Sequence, residues 1–246
     1  MSFHYQSAVR SHVGNVRELN EDAYCDHAEQ GIWCIADGMG GYEAGEVASN
    51  MVVNAVSDAV DKVVAATDLD QKVAGLTAAI QSANTCLTQE RTLAPDSGVM
   101  GCTVLAVVIS GAECACVWAG DSRLYLLREN GLYQLSKDHS VVQELLDKGL
   151  IAADERETHP QRHVITRAVG ANPELELDFL ALDLLPDDVL MLCSDGLYSE
   201  IGPDLIMSIL SSTEDCDTKA SRLLESVLSA AARDNVTVSV IEVEQG

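Results

Sequence analysis

The chain carries, at positions 32–38, the stretch Ile32-Trp33-Cys34-Ile35-Ala36-Asp37-Gly38. Five apolar residues that run into an aspartate and a glycine are typical of a buried strand with an acidic side chain at its end. Two further apolar runs meet an aspartate beside a glycine: Cys116-Val117-Trp118-Ala119 before Gly120-Asp121, and Val189-Leu190-Met191-Leu192-Cys193 before Ser194-Asp195-Gly196. Asp234 directly precedes a fourth strand pattern, Val236-Thr237-Val238-Ser239-Val240. Carboxylates in such places are costly to desolvate without a cation, so the pattern predicts a shared site for a hard divalent ion, Mg²⁺ or Mn²⁺ rather than zinc.

The sequence around these runs predicts strands and helix pairs in alternation. Apolar residues recur at steps of three and four from Val47 to Val64, and again from Asp70 to Glu90, which predicts two antiparallel helices. Further helices are predicted at 141–148, 203–210 and 217–231. Strands are predicted at 5–12, 23–26, 31–36, 101–128 (three strands), 132–135, 174–182, 189–193 and from 236 onward, with Asn130-Gly131 as a hairpin turn. The polar stretch 151–172 is expected to be a surface loop. Because no linker or repeat divides the chain, we expect one α+β domain over residues 1–246, with two sheets covered by helix pairs.

The composition excludes several classes of protein. The 246 residues carry a formal charge of −24, which argues against general affinity for nucleic acid or anionic membrane. No apolar run reaches the roughly 18 residues that span a bilayer, and the start, Met1 to Gln6, lacks the features of a signal peptide. We therefore expect a cytoplasmic protein whose eight cysteines are reduced thiols, mostly buried. Cys114-Ala115-Cys116 is interpreted as alternate strand residues rather than as half of a zinc site.

The acids can be assigned to a two-ion centre. Two divalent ions about 3.5–4 Å apart can activate water and neutralise a phosphoryl group, and Asp37 is the natural bridge between them because the glycines beside it leave room. Asp195 and Asp234 are expected to complete one ion. The backbone carbonyl of Gly38, with waters oriented by Asp22 and Glu21, is expected to complete the other. This arrangement fits hydrolysis of a phosphate ester by direct attack of metal-bound hydroxide, without a covalent intermediate.

Some assignments stay open on the residues alone. Arg17 either balances the charge of the acids or forms a fork for the phosphate that the metals also hold. His139, His159 and His163 are candidates for a general acid, although packing in the surface or a loop is the simpler interpretation of each. No Walker A loop, dinucleotide fingerprint or nucleophile elbow is present.

At this point the motifs resemble a known family. The chain is similar to the metal-dependent protein phosphatases (PPM family, type 2C), and its size resembles the stand-alone bacterial serine/threonine phosphatases. The resemblance rests on five motifs that occur in the family's order: Arg17-x-x-Asn20-Glu21-Asp22, Ala36-Asp37-Gly38-Met39-Gly40-Gly41, Gly120-Asp121-Ser122-Arg123, Ser194-Asp195-Gly196-Leu197 and Arg233-Asp234-Asn235. Weaker similarities include Asp138-His139-Ser140, His159-Pro160 and Ile165-Thr166-Arg167-Ala168-Val169-Gly170.

The resemblance implies a four-layer α-β-β-α sandwich with two mostly antiparallel sheets and the metals at one end. It implies that Asp37 bridges two Mn²⁺ or Mg²⁺ ions, with the carbonyl of Gly38, Asp195 and Asp234 as direct ligands and Asp22 acting largely through water. Arg17 resembles the phosphate-binding arginine, and Asp121 the acid that helps to hold a weaker third ion. The stretch 139–172 corresponds to a mobile flap beside the site. Many eukaryotic members carry histidine where this chain has Met39, so the resemblance leaves the identity of the general acid open.

Three hypotheses follow. The first is a phosphoserine/phosphothreonine protein phosphatase, monomeric, that reverses a bacterial serine/threonine kinase. The second is a non-catalytic relative that binds a kinase or scaffold, but such proteins usually lose metal ligands and this chain has kept them. The third is a two-metal hydrolase of nucleotides or nucleic acid, which the acidic charge and the absence of a basic, aromatic patch argue against.

Overall fold

The computed structural model describes residues 3–40, 44–93, 100–156 and 158–245, so Gly41 of the glycine-rich motif lies outside the described residues. The strands are β1 (Phe3–His12), β2 (Asp22–His27), β3 (Ile32–Gly40), β4 (Met100–Cys102), β5 (Val104–Ser110), β6 (Glu113–Ala119), β7 (Arg123–Arg128), β8 (Gly131–Gln134), β9 (Asp178–Asp183), β10 (Val189–Cys193) and β11 (Val236–Gln245). The helices are α1 (Ala44–Val64), α2 (Leu69–Leu93), α3 (Val141–Asp147), α4 (Asp195–Tyr198), α5 (Pro203–Leu210) and α6 (Cys216–Ser229).

The strands form two antiparallel sheets. One has the order β1-β11-β10-β7-β8, and the other has the order β2-β3-β5-β6-β9 with β4 paired to β3. Helices α1 and α2 cover the outer face of the second sheet, and α4, α5 and α6 cover the outer face of the first. A third apolar cluster fills the space between the sheets. The four-layer α-β-β-α sandwich with two antiparallel sheets is therefore confirmed.

The stretch 32–38 decides this layering because both faces of its strand, β3, are buried. Trp33 and Ile35 point into the core between the sheets, while Ile32, Cys34 and Ala36 pack under α1 and α2. A strand covered on both faces is apolar at consecutive positions rather than at alternate ones, and this pattern is what the sequence shows.

The prediction of three strands between residues 101 and 128 was wrong, because there are four. The extra break falls at Thr103, whose backbone N–H donates to the carbonyl of Asp37 and whose hydroxyl accepts from the Asp37 N–H. These bonds draw Thr103 toward the end of β3, where Asp37 lies.

The predicted strand at 174–182 also begins later than expected, at Asp178. Leu175 and Leu177 alternate with acids, but they pack against the core next to α2. The side-chain amide of Gln81 donates to the carbonyl of Leu175, and that of Asn84 donates to the carbonyl of Asn172. Side chains of α2 thus bind backbone carbonyls in the stretch ahead of β9.

The predicted hairpin between β7 and β8 is present, but its turn lies one residue earlier. Arg128 pairs with Gly131, which leaves Glu129 and Asn130 as the two loop residues, and Glu129 adopts a φ of 55°. Among the described residues, no helix combines the length and the apolarity that crossing a bilayer requires.

Candidate metal centre and catalytic cleft

The acids predicted from the sequence meet at one end of the two sheets. Asp22 of β2 lies directly opposite Asp37 of β3 in the antiparallel register. Asp195 begins α4 immediately after β10, and Asp234 lies just before β11, which pairs with β10. Together with Arg17, Glu21 and Asp121, the side chains of Asp37, Asp195 and Asp234 line a cavity of about 700 Å³.

Asp37 lies at the electrostatic centre of this cluster. Burial raises its pKa well above the ordinary range, and the charges of Asp22, Asp195, Asp121 and Asp234 raise it further. Mutual repulsion of this kind means that the carboxylates favour binding of positive charge between them.

Asp22 lies behind the cleft, with 8% of its surface exposed. Burial raises its pKa to about 7, although hydrogen bonds with Thr237 and Ser194 act in the opposite direction. The Ser194 hydroxyl donates to Oδ2 at 2.8 Å, whereas Oδ1 accepts no hydrogen bond from any residue that the structure describes. One acceptor oxygen of Asp22 is therefore held in place and the other is free for a ligand or water.

Asp121 is also buried, with 6% of its surface exposed. Burial raises its pKa to about 8, the charges of Asp195 and Asp138 raise it as well, and Arg123 lowers it. The side chain borders the cleft on the flap side, which is the position expected of a ligand to a peripheral ion.

Two glycines allow the backbone segments of the site to approach closely. A Cβ on Gly38 would lie 2.3 Å from the carbonyl oxygen of Gly45 and 2.5 Å from that of Glu21, and a Cβ on Gly196 would lie 1.9 Å from the carbonyl oxygen of Asn235. Side chains at these positions would separate the strands that hold the acids. Burial raises the pKa of Glu21, whose Oε1 has no hydrogen-bond partner.

Arg17 pairs with Asp234, its Nη2 atom lying 2.8 Å from Oδ2. Half of the Arg17 side chain and 41% of the Asp234 side chain remain exposed. The structure therefore shows the charge-balancing contact that the sequence left as one alternative. An exposed pair of this kind is weak and exchangeable, so the guanidinium remains available to a phosphate in the same cavity.

The three candidate histidines have different surroundings. His139 is buried, stacks on Trp118 and contacts Asp178 at 3.2 Å, and burial lowers its pKa, so its interpretation as a loop-packing residue is confirmed. His159 accepts a hydrogen bond from the Gln161 N–H and does not line the cleft. His163 does line the cleft, with Nδ1 3.8 Å from Oδ2 of Asp195, and that interaction raises its pKa.

Two residues of the site received no role from the sequence. The side chain of Asn235 accepts from the Glu21 N–H and donates to the carbonyls of Val13 and Leu19, so it ties the Arg17-to-Asp22 segment to the end of β11. Its place directly after Asp234 was the available signal. Arg162 lines the cleft from the flap, and no pattern in the sequence marked it.

A second cavity, of about 630 Å³, lies between α1 and α2. Its lining includes Val47, Met51, Ala55 and Ala83, and the acids discussed above are absent from it. The cleft at the sheet ends is therefore the better candidate for chemistry.

The residues of the cleft fit divalent metal ions of the magnesium type. All the candidate ligand atoms are oxygens, and the buried oxygens Asp22 Oδ1 and Glu21 Oε1 have no hydrogen-bond partner within the described ranges. Within the described ranges, no three His, Cys, Asp or Glu side chains are arranged to hold an ion by themselves. Magnesium-type ions keep several waters and take backbone carbonyls as ligands, so a site that depends on these in addition to carboxylates suits them.

Comparison with known proteins identifies the family. The chain matches protein phosphatase 2C over residues 10–236. The chain belongs to the protein phosphatase 2C family. It is 34% identical over 236 residues to the serine/threonine phosphatase stp of Listeria welshimeri, covering 95% of this chain and 94% of that relative.

Solved structures agree with this assignment. PppA of Pseudomonas aeruginosa superposes with a TM-score of 0.88 at 40% identity, covering 98% of both chains. The catalytic domain of the phosphatase PstP, solved in complex with two manganese ions, gives a TM-score of 0.88 at 35% identity and covers 99% of this chain and 100% of that one. The family predicted from the motifs is thus confirmed.

Proposed function

We propose that this phosphatase hydrolyses phosphoserine and phosphothreonine in proteins, by direct attack of water at a centre of two Mn²⁺ or Mg²⁺ ions. The observation that carries the proposal is the convergence of Asp22, Asp37, Asp121 and Asp195 at one end of the sheets, where burial and neighbouring acids raise the pKa of Asp22, Asp37 and Asp121. The names of the relatives, which include serine/threonine phosphatases, and the two manganese ions of PstP support it.

The residues divide into groups by role. Asp37 would bridge the two ions, and Asp195 and Asp234 would complete one of them. The Gly38 carbonyl would serve the other, with Asp22 and Glu21 orienting waters through their unpartnered oxygens. Asp121 would help to hold a third, weaker ion from the flap side.

Bound divalent ions supply a water of lowered pKa and neutralise the phosphoryl charge. Arg17 would exchange Asp234 for the phosphate, which accepts a charge-assisted pair of hydrogen bonds from a guanidinium. Met39 lies in the cleft but has no proton to give, so the serine or threonine oxygen must receive its proton from another group.

The proposal also covers the substrates, the partner kinase, the cellular location and the oligomeric state of the protein. The substrates are phosphorylated proteins, and the partner reaction is that of a serine/threonine kinase, since only such an enzyme makes these esters. We propose a cytoplasmic, monomeric, single-domain protein without nucleic-acid partners. The eight free cysteines and the charge of −24 support this setting.

The test is hydrolysis of a phosphothreonine peptide during titration with Mn²⁺, followed by EDTA. We expect turnover that requires the metal, and we expect Asp37→Ala to lower it by at least about 10³-fold, because the variant removes the shared ligand. Asp61→Ala is the matched control, since Asp61 is an exposed acid on α1 far from the cleft in sequence.

Each outcome decides the matter. Equal loss in Asp61→Ala would mean that the assay reports general charge rather than the site. Turnover that survives both EDTA and Asp37→Ala would refute the metal mechanism. Folded protein without turnover at any manganese concentration would favour the non-catalytic alternative.

A further inference from the structure

Two cysteines lie directly opposite each other on neighbouring strands. Cys25 of β2 pairs with Cys34 of β3 in the antiparallel register, and both face the layer of α1 and α2. The Cα atoms of directly opposite residues are about 4.5–5.5 Å apart, which lies within the range of about 4.4–6.8 Å that a disulfide spans. The fold therefore places these thiols where a bond requires little movement of the backbone.

The surroundings distinguish the two thiols. A hydrogen bond with Cys34 lowers the pKa of Cys25, and one with Ser57 of α1 lowers it further, against the effect of burial. The hydrogen bond with Cys25, together with burial, raises the pKa of Cys34. The Ser57 hydroxyl also lies 3.0 Å from Nε2 of His27, so this serine of α1 lies beside both the imidazole and Cys25.

The two thiols also differ in their exposure to solvent. Cys25 keeps 8% of its surface exposed and Cys34 keeps none, and β2 is the edge strand of its sheet. Other buried cysteines, such as Cys102 and Cys114, have a pKa raised by burial. A partly accessible thiol directly opposite a second, fully buried thiol is the arrangement expected of an attacking and a resolving cysteine.

We propose that Cys25 and Cys34 form an oxidation site for small hydroperoxides, at which a disulfide closes across β2 and β3. The Cys25 thiolate attacks a peroxide oxygen, the O–O bond breaks, and the leaving hydroxide takes up a proton to become water. Cys34 then attacks the sulfenic sulfur, an S–S bond forms, the S–O bond breaks, and the Cys34 proton leaves with the hydroxide as a second water. Hydrogen peroxide is reduced by two electrons and the two thiols are oxidised by two.

The position of the pair links this site to the cleft. Asp22 and Asp37 form a pair on the same two strands, three residue pairs away from Cys25 and Cys34. The disulfide would therefore link the two strands that carry these acids. The chemistry of the thiols does not depend on phosphatase activity, so the inference stands or falls separately from the proposed function.

Peptide mapping of the full chain provides the test, in a Cys86→Ser background that removes the exposed thiol and so prevents disulfides between molecules. The folded protein is treated with hydrogen peroxide, blocked with N-ethylmaleimide and cut after glutamate. Glu29 lies between the two cysteines, so Cys25 falls in fragment 22–29 and Cys34 in fragment 30–43, each with no other cysteine. We expect the two fragments to be joined, and dithiothreitol to separate them.

A second variant tests the assigned activation. Ser57→Ala should slow the joining by at least about threefold, because it removes a donor that stabilises the Cys25 thiolate. Ser82→Ala, an exposed serine on α2, should leave the rate unchanged. Fragments that never join in the folded protein, or that join only in urea, would overturn the proposal. Equal rates for the two serine variants would overturn the role of Ser57.

Discussion

The buried carboxylates of this phosphatase fall into two groups that differ in their partners rather than in their burial. Asp138 and Asp188, which are not among the predicted metal ligands, are 5% and 1% exposed, and each accepts hydrogen bonds from an arginine. Arg123 donates to both oxygens of Asp138 at 2.8–3.2 Å, and Arg128 donates to both oxygens of Asp188 at 2.7 and 2.9 Å.

The acids of the cleft are buried to a similar degree, but they face one another. Asp22 and Asp121 are 8% and 6% exposed, and neighbouring acids raise the pKa of both. Burial of a charge is tolerated when a fixed cation meets it and is costly otherwise. The difference teaches that arginines hydrogen-bond the buried structural acids, whereas Asp22 and Asp121 at the metal centre accept no such bond from an arginine in the described part of the chain and lie beside other acids.

The largest effect on stability is expected at the buried pair of Arg123 and Asp138. Arg123→Leu removes the guanidinium that grips Asp138 and that also lies 3.5 Å over the Tyr198 ring. We expect a loss of about 3 kcal/mol in the free energy of unfolding, at the lower end for breaking a buried pair, because Asp138 loses Arg123 but still pairs with Arg156. Thermal unfolding should show this loss as a fall in Tm of roughly 6–12 °C.

Two variants sharpen this test. Arg222→Leu removes an exposed pair with Glu214 and should change stability by no more than about 0.5 kcal/mol. Arg156→Leu added to Arg123→Leu should deepen the loss, because both arginines that pair with Asp138 are then gone. If Arg123→Leu costs no more than Arg222→Leu, the contrast between the two groups of acids is wrong.

A change of pH is expected to have a smaller effect on the stability of the metal-free protein. The pKa of Asp22 is raised to about 7 and that of Asp121 to about 8, whereas both are about 3.9 in an unfolded chain. Between those values the folded state keeps protons that the unfolded state has released, so the free energy of unfolding falls as the pH rises. In EDTA, Tm should fall by about 5 °C or more from pH 5.5 to 8.5.

Saturating Mn²⁺ should abolish this fall, because the ion replaces the protons as the positive charge among the acids. Asp22→Asn should make the fall of Tm in EDTA smaller, since the amide does not titrate and only Asp121 of the two acids still does. A Tm that rises from pH 5.5 to 8.5 in EDTA would show that the cleft does not hold its acids in a protonated state.

How much the sequence predicted depends on which interactions decide each feature. The layers follow from local patterns, because a strand buried on both faces and a helix with one apolar stripe are readable in Trp33 to Ala36 and in Val47 to Val64. The acids were found because an aspartate at the end of an apolar run is unusual in any protein. All of them line or adjoin the cleft that the structure forms.

The features that were missed depend on contacts between distant residues. The late start of β9 accompanies bonds from Gln81 and Asn84 to a stretch about ninety residues away, and the break before β5 accompanies the bonds between Thr103 and Asp37. The role of Asn235 joins positions more than 200 residues apart. Such hydrogen bonds leave no periodicity in the sequence, so they appear only in the folded chain.

A small effect on stability is expected at Arg17, although its effect on substrate binding is large. Its pair with Asp234 is about half exposed on both sides, so Arg17→Ala should cost no more than about 1 kcal/mol in unfolding. The KM for a phosphothreonine peptide should rise roughly tenfold with kcat nearly unchanged, because a charge-assisted contact to the phosphate is lost in ground and transition state alike.

The KM of Arg17→Lys should fall between those of the unchanged protein and Arg17→Ala, since lysine keeps the charge and loses the fork, and Arg222→Ala should leave KM unchanged. A fall in kcat that matches the fall in kcat/KM would instead assign Arg17 to the transition state, and an unchanged KM would leave it with the charge-balancing role that its contact with Asp234 shows.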